Sequence, residues 1–348
     1  TKKGPARDCW QGLLSSRAMR LLSAGRRGRS RSGCRCCSAR RGLGRVHRVG
    51  TVLFTAHVGL VARRDDHVHR QSSKQDEANN NLPHINISWD GFVQSRGLAR
   101  DAVHDSGFCV ALTDANAERT FISTRGAEAY GSVDAFDSVN PEKQDVVHVS
   151  GYTLVHHTAD ALLAFVKRTT EHREFTAVFD PSPMIATVDD DVFRTMLAYR
   201  PIWSCNECEA TLIAQRLAAL DNGNSCDCKV SQDIVQEIEN ANVNEETVAW
   251  LCNRLQSPVI VRVGADGAWS AIPGDEVLRI PGFPMKAVDT NGAGDCHAGV
   301  LCALLCEGVP LEDAVRCANA ASALSVTRSG PATCPDRKEV ERLLGRAF

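Results

Sequence analysis

Strand patterns and helix patterns alternate along most of this chain, from residue 145 onward. Apolar runs with the length of buried strands occupy residues 145–150, 175–180, 201–204 and 258–263. Segments with helical spacing of apolar residues accompany them at 158–170, 190–198, 207–220 and 245–255. Parallel strands need long connections, usually helices, so this alternation predicts an α/β fold with a mainly parallel sheet covered by helices on both faces. Ligands of such sheets bind beyond the carboxyl ends of the strands.

The remaining patterns add a hairpin, an early strand and two more helices. Residues 107–112 and 119–123 flank a turn at 114–116 and predict two antiparallel strands. A β-branched run predicts a strand at 51–61, and helical spacing predicts helices at 294–307 and 310–327. No apolar run reaches the ~18 residues that a membrane-spanning helix needs, so no membrane partner is expected.

The charge of the chain is unevenly distributed. Residues 1–50 contain 14 Lys and Arg but one acidic residue, Asp8, although the whole chain has a formal net charge of −2. We therefore divide the chain into a basic, atypical or disordered segment at 1–50 and a globular domain at 51–348. Three interpretations of the basic segment compete: an organellar transit peptide, a tail that binds polyanions, or sequence outside the fold. The acidic body gives no reason to bind nucleic acid.

Fifteen cysteines are scattered through apolar and polar stretches alike. Their odd number, without an apolar signal peptide, favours free thiols in a reducing compartment, and hence a cytoplasmic protein, over a disulfide framework. Zinc is an alternative, because two cysteine pairs about 20 residues apart resemble a ribbon; these are Cys205, Cys208, Cys226 and Cys228. The single residue inside the second pair gives poor ribbon geometry.

Residues 287–300 carry the clearest chemical signal. Gly292, Ala293 and Gly294 form a turn that leads directly into an apolar helix. The amides of such a turn and of the first helical turn lack backbone acceptors and, with the helix dipole, attract an anion. Asp295 lies at the same place, where its carboxylate can accept a proton from a hydroxyl that attacks phosphorus. The alternative is a plain helix start with an Asn-Gly turn and an acidic residue in the first turn.

The run Asp289-Thr-Asn-Gly-Ala-Gly-Asp295 entering a helix resembles the signature of the ribokinase-like (PfkB) carbohydrate kinases. This resemblance implies a three-layer α/β/α ribokinase-like fold with a small β lid. It also implies that Asp295 is the catalytic base and that Gly292, Ala293 and Gly294 form the anion hole.

Two further elements match this family. Asn206-x-x-Glu209 follows a short strand and opens a helix, and the resemblance places Asn206 near the ATP phosphates and Glu209 near the water shell of Mg²⁺. By itself, the same pair reads as a capping box. The loop Gly264-Ala-Asp266-Gly267 between two strands is similar to the loop that lies against the nucleotide in the family, and by itself reads as a hairpin turn.

Residues 319–334 cover the end of the predicted helix 310–327 and the loop that follows it. This segment looks like the family's element that closes the adenine side of the nucleotide site. The resemblance places Asn319 near adenine. It also implies a K⁺ site made of the Asp289 carboxylate and mostly carbonyl oxygens of Asn291, Ser325, Arg328, Gly330 and Cys334. By itself, the segment reads as a helix that ends in an Arg-Ser-Gly turn.

The sugar-binding half of the family pattern has no clear match. The family uses an early Asp, a Gly-Gly pair and an Asn before an Arg-Leu-Gly turn, and here only Gly42-Leu-Gly44 resembles that turn. The sugar-binding residues therefore stay unassigned. A serine hydrolase is excluded because the motif Gly-x-Ser-x-Gly is absent around Ser150. A P-loop kinase is excluded because no Gly-x4-Gly-Lys-Ser/Thr motif occurs.

These features predict an enzyme that uses ATP and Mg²⁺, with K⁺ as a second candidate ion, to phosphorylate a hydroxyl of a small sugar or sugar derivative. A nucleoside is the second choice of substrate. The alternative is a non-catalytic nucleotide-binding or regulatory protein of the same fold that lacks a formed acceptor site. The resemblance also implies a homodimer formed through the lid.

Overall fold

The computed structural model describes residues 60–62, 103–113, 119–137, 139–221, 236 and 243–348. Four of the features discussed above lie outside the described residues: the basic segment 1–50 with its Gly42-Leu-Gly44 turn, the turn at 114–116, Cys226 and Cys228. No helix within the described ranges is long and apolar enough to cross a membrane.

The described strands and helices follow the predicted order, to which the structure adds a strand at Leu278–Pro281 and a helix at Arg337–Leu344. The strands are β1 (Leu60–Ala62), β2 (Cys109–Thr113), β3 (Arg119–Ser123), β4 (Val146–Ser150), β5 (Thr176–Asp180), β6 (Ile202–Asn206), β7 (Val259–Arg262), β8 (Gly267–Ala271) and β9 (Leu278–Pro281). The helices are α1 (Ala159–Thr170), α2 (Asp190–Tyr199), α3 (Glu207–Asp221), α4 (Glu245–Leu255), α5 (Ala293–Cys306), α6 (Leu311–Ser325) and α7 (Arg337–Leu344). Every helix that the apolar spacing predicted is present.

The central sheet has seven strands in the order β1-β4-β5-β6-β7-β8-β9. Strands β4 to β7 are parallel, and their register pairs Val149 with Phe179 and Cys205 with Val261. The strand β1 at one edge and the β8–β9 hairpin at the other are antiparallel to their neighbours. The predicted parallel sheet is therefore confirmed at its centre, where helices connect successive strands.

Side chains of the central strands point alternately into two hydrophobic cores, as the period of a strand requires. Val147 and Val149 face the core formed with α1 to α4, whereas Val146 faces the core formed with α5 to α7. In the first core, Phe179 and Trp203 pack edge to face with ring centroids 4.8 Å apart. The sheet thus lies between two helical layers, which confirms the predicted three-layer α/β/α arrangement.

Strands β2 and β3 form a separate two-stranded antiparallel sheet. This is the hairpin that the sequence predicts. Apolar side chains on and beside it are exposed, namely Phe108, Val110, Phe121 and Ile122. The homodimer implied by the family resemblance stays a prediction.

Most described cysteines are small buried side chains, as expected for free thiols. The free thiols are Cys109, Cys205, Cys252, Cys296, Cys302, Cys306, Cys317 and Cys334. Cys208 departs from this expectation because it is disulfide-bonded. The Cys205 thiol points into the core and donates a hydrogen bond to the carbonyl of Ile260, so the structure does not present Cys205 and Cys208 as a matched pair of zinc ligands.

Candidate active site

Charged and polar side chains collect at the carboxyl ends of three parallel strands. Asp180 ends β5, Asn206 ends β6 and Arg262 ends β7. The N-terminus of α5 reaches the same edge of the sheet, because a Cβ atom added to Gly294 would lie 4.0 Å from Nη2 of Arg262. The candidate site therefore lies at the edge of the sheet where ligands of parallel sheets bind.

The turn before α5 requires glycine at its first position. Gly292 has a φ of 78°, in the left-handed region, and a Cβ atom there would lie 2.0 Å from the carbonyl oxygen of Pro331. Both features exclude a larger side chain. The N–H of Ala293 donates a long 3.4 Å hydrogen bond to the Thr290 carbonyl, and the amides of the first helical turn have no acceptor within the helix. The turn can therefore offer main-chain donors to an anion.

Asp295 lies in the first turn of α5, the helix that begins at this turn. Its side chain is exposed, whereas the next five residues, 296–300, are buried. Desolvation by the surrounding protein raises the pKa of Asp295, the nearby charge of Asp180 raises it further, and Arg262 lowers it. A solvent-accessible carboxyl group with a raised pKa is suited to accept a proton from a reacting group.

Arg262 connects the charged groups of the site. Its guanidinium donates to Ser204 Oγ at 2.9 Å and lies 3.5 Å from Asp180 Oδ2 and 3.4 Å from Glu209 Oε2. The side chain of Arg262 is 13% exposed and that of Glu209 is 7% exposed. Because all of these groups are largely removed from water, each charge depends on its partners for stabilisation.

Asn206 and Glu209 form the capping box that their spacing predicts. The side chain of Asn206 accepts from the N–H of Glu209 at 2.8 Å, and the Glu209 carboxylate accepts from the N–H of Asn206 at 2.9 Å. Burial raises the pKa of Glu209 to about 7, with a further contribution from the charge of Asp180 and an opposing one from Arg262. The capping box therefore holds the buried carboxyl group of Glu209 beside Arg262.

The loop between β7 and β8 has the hairpin geometry that the sequence predicts. Gly264 and Gly267 have φ values of 60° and 100°, and a short 3-10 turn, Gly264–Asp266, connects the two strands. The carbonyl of Asp266 accepts from the N–H of Gly282 at 3.1 Å, which ties the loop to the end of β9. The loop follows Arg262 directly, and its role in nucleotide binding stays a prediction.

Asn319 on α6 is buried, and its amide is engaged within the protein. Its Nδ2 donates to the carbonyls of Ile280 and Pro281, and its Oδ1 lies 3.2 Å from Nε2 of His297. Burial lowers the pKa of His297 to about 3, so the imidazole is neutral and donates to Asn319. These bonds stabilise the packing of α6 against α5 and β9, and the expected adenine contact of Asn319 stays a prediction.

The residues implied in a K⁺ site share one loop system beside α5. The carboxylate of Asp289 accepts from the N–H of Asn291 at 2.9 Å and from the N–H of Gly330 at 3.1 Å. The hydroxyl of Thr333 donates to the carbonyls of Ser325 and Gly330. The guanidinium of Arg328 and the thiol of Cys334 belong to the same loop, where Arg328 pairs with Glu339. The Asp289 carboxylate and the Ser325 and Gly330 carbonyls thus lie in one loop system, where they accept hydrogen bonds that stabilise the loops.

The structure adds three residues that the sequence does not single out for the site: Asp180, Arg262 in its central position, and Tyr152. Tyr152 lies two residues after β4, and its pKa is raised to about 12 by desolvation from the surrounding protein and by the charges of Glu209, Asp180 and Asp295. A charged or aromatic residue at the carboxyl end of a buried strand, or within two residues of it, is the sequence signal that marks all three.

Comparisons with known proteins identify the family of the chain. The profile described as pfkB family carbohydrate kinase matches residues 91–338. The chain belongs to this family. It is 30% identical over 271 residues to an uncharacterised sugar kinase, YegV, of Escherichia coli (strain K12), and the match covers 76% of this chain and 77% of the relative. It is 41% identical over 87 residues to ribokinase of Bacillus subtilis (strain 168), which covers 25% of this chain and 29% of that protein.

Solved structures show the same fold. Ribokinase from Giardia lamblia superposes with a TM-score of 0.53 at 21% identity and covers 70% of this carbohydrate kinase and 73% of that chain. Fructokinase from Vibrio cholerae O395, solved with fructose, ADP and a calcium ion, gives a TM-score of 0.53 at 21% identity, with 72% and 77% covered. The predicted ribokinase-like fold is therefore confirmed.

Substituting Gly292→Ala should destabilise this carbohydrate kinase by about 2–4 kcal/mol, because alanine is strained at positive φ and its Cβ would overlap the Pro331 carbonyl. Gly308→Ala is the matched control, since Gly308 has a φ of 80° with nothing within 4 Å of the added Cβ. Urea unfolding should show a loss of about 1 kcal/mol for G308A. Equal losses in the two variants would contradict the close approach of Pro331.

Proposed function

We propose that this carbohydrate kinase transfers the γ-phosphoryl group of ATP to a hydroxyl of a small sugar or sugar derivative, with Asp295 as the general base. One arrangement supports the proposal above all others. An exposed carboxylate in the first turn of α5 directly follows the main-chain donors of residues 292–294, and Arg262 lies beside them. An attacking hydroxyl must lose a proton while the migrating phosphoryl group is held, and this arrangement offers a group for each task.

The chemistry follows from the positions of these groups. The carboxylate of Asp295 takes the proton of the sugar hydroxyl as its oxygen attacks the γ-phosphorus in line. The amides of Gly292, Ala293 and Gly294 donate hydrogen bonds to the phosphoryl oxygens, whose charge is spread over the transition state. Arg262, held by Asp180 and Glu209, supplies positive charge next to this turn.

The residues present fit a magnesium ion carried by the nucleotide. Asp180 and Glu209 place carboxylate oxygens at the site, and Mg²⁺ prefers oxygen ligands and commonly keeps several waters, so these side chains would hold the ion through its waters and not as a cluster of three direct ligands. Glu209 already accepts from the Asn206 amide, so it would act on the water shell. When bound, the ion would offset the negative charge of the phosphates. The oxygen atoms around Asp289 would suit K⁺, because hard cations prefer oxygen ligands. Asn206, Asp266 and Asn319 are proposed to face the nucleotide.

Substituting Glu209→Gln should raise the Mg²⁺ concentration for half-maximal turnover about tenfold, since a charged group near the metal is lost. Glu339→Gln is the matched control, because Glu339 also closes a capping box, with Asp336, and pairs with an arginine, Arg328. Turnover is measured across a magnesium titration at saturating ATP. An unchanged magnesium response in E209Q would leave Glu209 with its capping role alone.

The substrate class is tested by coupled ADP production with a panel of hexoses, pentoses, keto-sugar acids and nucleosides. The proposal expects ADP release that depends on one sugar or sugar derivative. The similarity to a sugar kinase over most of the chain supports this choice. ADP release that depends on a nucleoside would show that the substrate is a nucleoside and not a sugar. ATP binding without acceptor-dependent ADP production would favour the non-catalytic alternative.

A further inference from the structure

Two cysteine sulfurs face each other beside the proposed base. The Sγ atoms of Cys296 and Cys334 lie 3.1 Å apart, although 38 positions separate the residues in the chain. Cys296 is buried in α5 and directly follows Asp295, whereas Cys334 is exposed in the loop between α6 and α7. Both thiols are free. A disulfide has an S–S distance of about 2.05 Å, so roughly 1 Å of movement would join them.

The loop that carries Cys334 also forms the outer wall of the turn before α5. The carbonyl of Pro331 occupies the space beside Gly292, and the N–H of Gly330 donates to Asp289. The hydroxyl of Ser322 at the end of α6 donates to the carbonyl of Ala293 at 3.0 Å. A covalent bond at residue 334 would therefore act on a loop that already contacts the candidate anion hole.

A shared metal ion does not explain this pair. Within the described part of the chain, no group of three or more His, Cys, Asp or Glu side chains is placed to hold a metal ion. Other described thiols have different environments: Cys205 and Cys252, for example, are buried and donate to the carbonyls of Ile260 and Ser257. The Cys296–Cys334 contact combines a buried thiol with one that solvent can reach.

We propose that Cys296 and Cys334 form an oxidisable dithiol that a hydroperoxide converts to a disulfide. The exposed thiol of Cys334 attacks the peroxide, which breaks the O–O bond and yields a sulfenic acid and an alcohol, or water from hydrogen peroxide. The thiol of Cys296 then attacks the sulfenic sulfur, forms the S–S bond and releases water. A dithiol reductant restores both thiols by thiol–disulfide exchange.

The consequence for catalysis rests on the proposed function of Asp295. The disulfide moves the residue that follows Asp295 and fixes the wall of the adjoining turn. Because a displacement of about 1 Å in a catalytic group can reduce turnover up to a hundredfold, the oxidised protein should lose about tenfold or more of its activity. Reduction should restore it.

The test uses the full chain, first reduced, then treated with hydrogen peroxide, alkylated and analysed by peptide mass spectrometry. The expected result is a cross-linked peptide pair containing Cys296 and Cys334 that dithiothreitol separates. Cys334→Ser should abolish this pair and leave Cys296 open to alkylation after unfolding. Cys252→Ser, which removes a buried thiol elsewhere, should keep it. Absence of the cross-link in the parent, or stable over-oxidation of Cys334 with Cys296 still a thiol, would overturn the proposal.

Activity measurements separate this proposal from the proposed function. If the parent is an active kinase and forms the cross-link, peroxide should inhibit the parent and spare C334S relative to the same variant before treatment. An active, fully cross-linked parent with unchanged turnover would overturn the catalytic consequence. A parent that cross-links but phosphorylates no acceptor would refute the proposed function and support the dithiol.

Discussion

Replacing Asp295 with asparagine should lower turnover by about three orders of magnitude, while the affinity for ATP stays nearly unchanged. Asparagine keeps the size of the side chain but cannot accept the hydroxyl proton, and general-base catalysis contributes about 10²–10⁴-fold to rates. The amides of the preceding turn do not depend on this side chain, so nucleotide binding should persist. Turnover and nucleotide dissociation constants measured on the same preparation would show the separation.

The pH dependence of turnover is a second test of the Asp295→Asn substitution. The pKa of Asp295 is raised by desolvation from the surrounding protein and by the charge of Asp180, and a base works only when it is deprotonated. The parent should therefore lose activity as the pH falls through this raised pKa, and D295N should lack that acidic limb. Asp313→Asn, at an exposed pair with Arg346, is the control that should behave like the parent. Turnover of D295N within tenfold of the parent would reject Asp295 as the base.

The parts of the fold that the sequence predicts well are those with a strong local signal. The parallel strands are continuous apolar runs, and the helices carry apolar residues at helical spacing, so each element is specified within its own segment. The helix start at Gly292 is equally local, because turn, donors and carboxylate lie within four residues. The strand β9, by contrast, has four residues and buries only Ile280, so it is too short for periodicity to mark it. The apolar pattern does not predict helix α7, although Asp336 and Glu339 have the capping-box spacing that indicates a helix start.

The centre of the candidate site could not be predicted in the same way. Arg262 meets Glu209 across 53 positions and Asp180 across 82 positions of sequence. Such contacts depend on the order of strands in the sheet, which periodicity does not encode. The contact between Cys296 and Cys334 has the same origin, since it depends on how the loop after α6 folds back on α5. The sequence therefore predicts the base and its turn, whereas the charge network around them emerges only from the fold.

This network leads to a prediction about stability, for the substitution Arg262→Met. Methionine fills much of the space of arginine but leaves Asp180 and Glu209 without their shared cation at the edge of the sheet. Removing one partner of a largely buried ion pair costs about 3–5 kcal/mol, and protonation of Glu209 should relieve part of that cost. We therefore expect urea unfolding at pH 7 to show a loss of about 2–4 kcal/mol. Arg316→Met, which breaks a half-exposed pair with Glu312, should change stability by less than about 1 kcal/mol.

The pH dependence of that loss identifies its cause. A carboxyl group whose folded pKa is raised, as for Glu209 at about 7, binds its proton more tightly in the folded state, so stability falls as pH rises from its unfolded pKa through about 7. Arg262 lowers the pKa values of Glu209 and Asp295, and its removal should raise both further. The deficit of R262M relative to the parent should therefore grow between pH 5 and pH 8, whereas that of R316M should not. Arg262→Lys, which keeps the charge but loses the forked geometry, should lie between the parent and R262M. A deficit in R262M that is independent of pH would show that Arg262 acts through packing, and the carboxylates would then need another source of stabilisation.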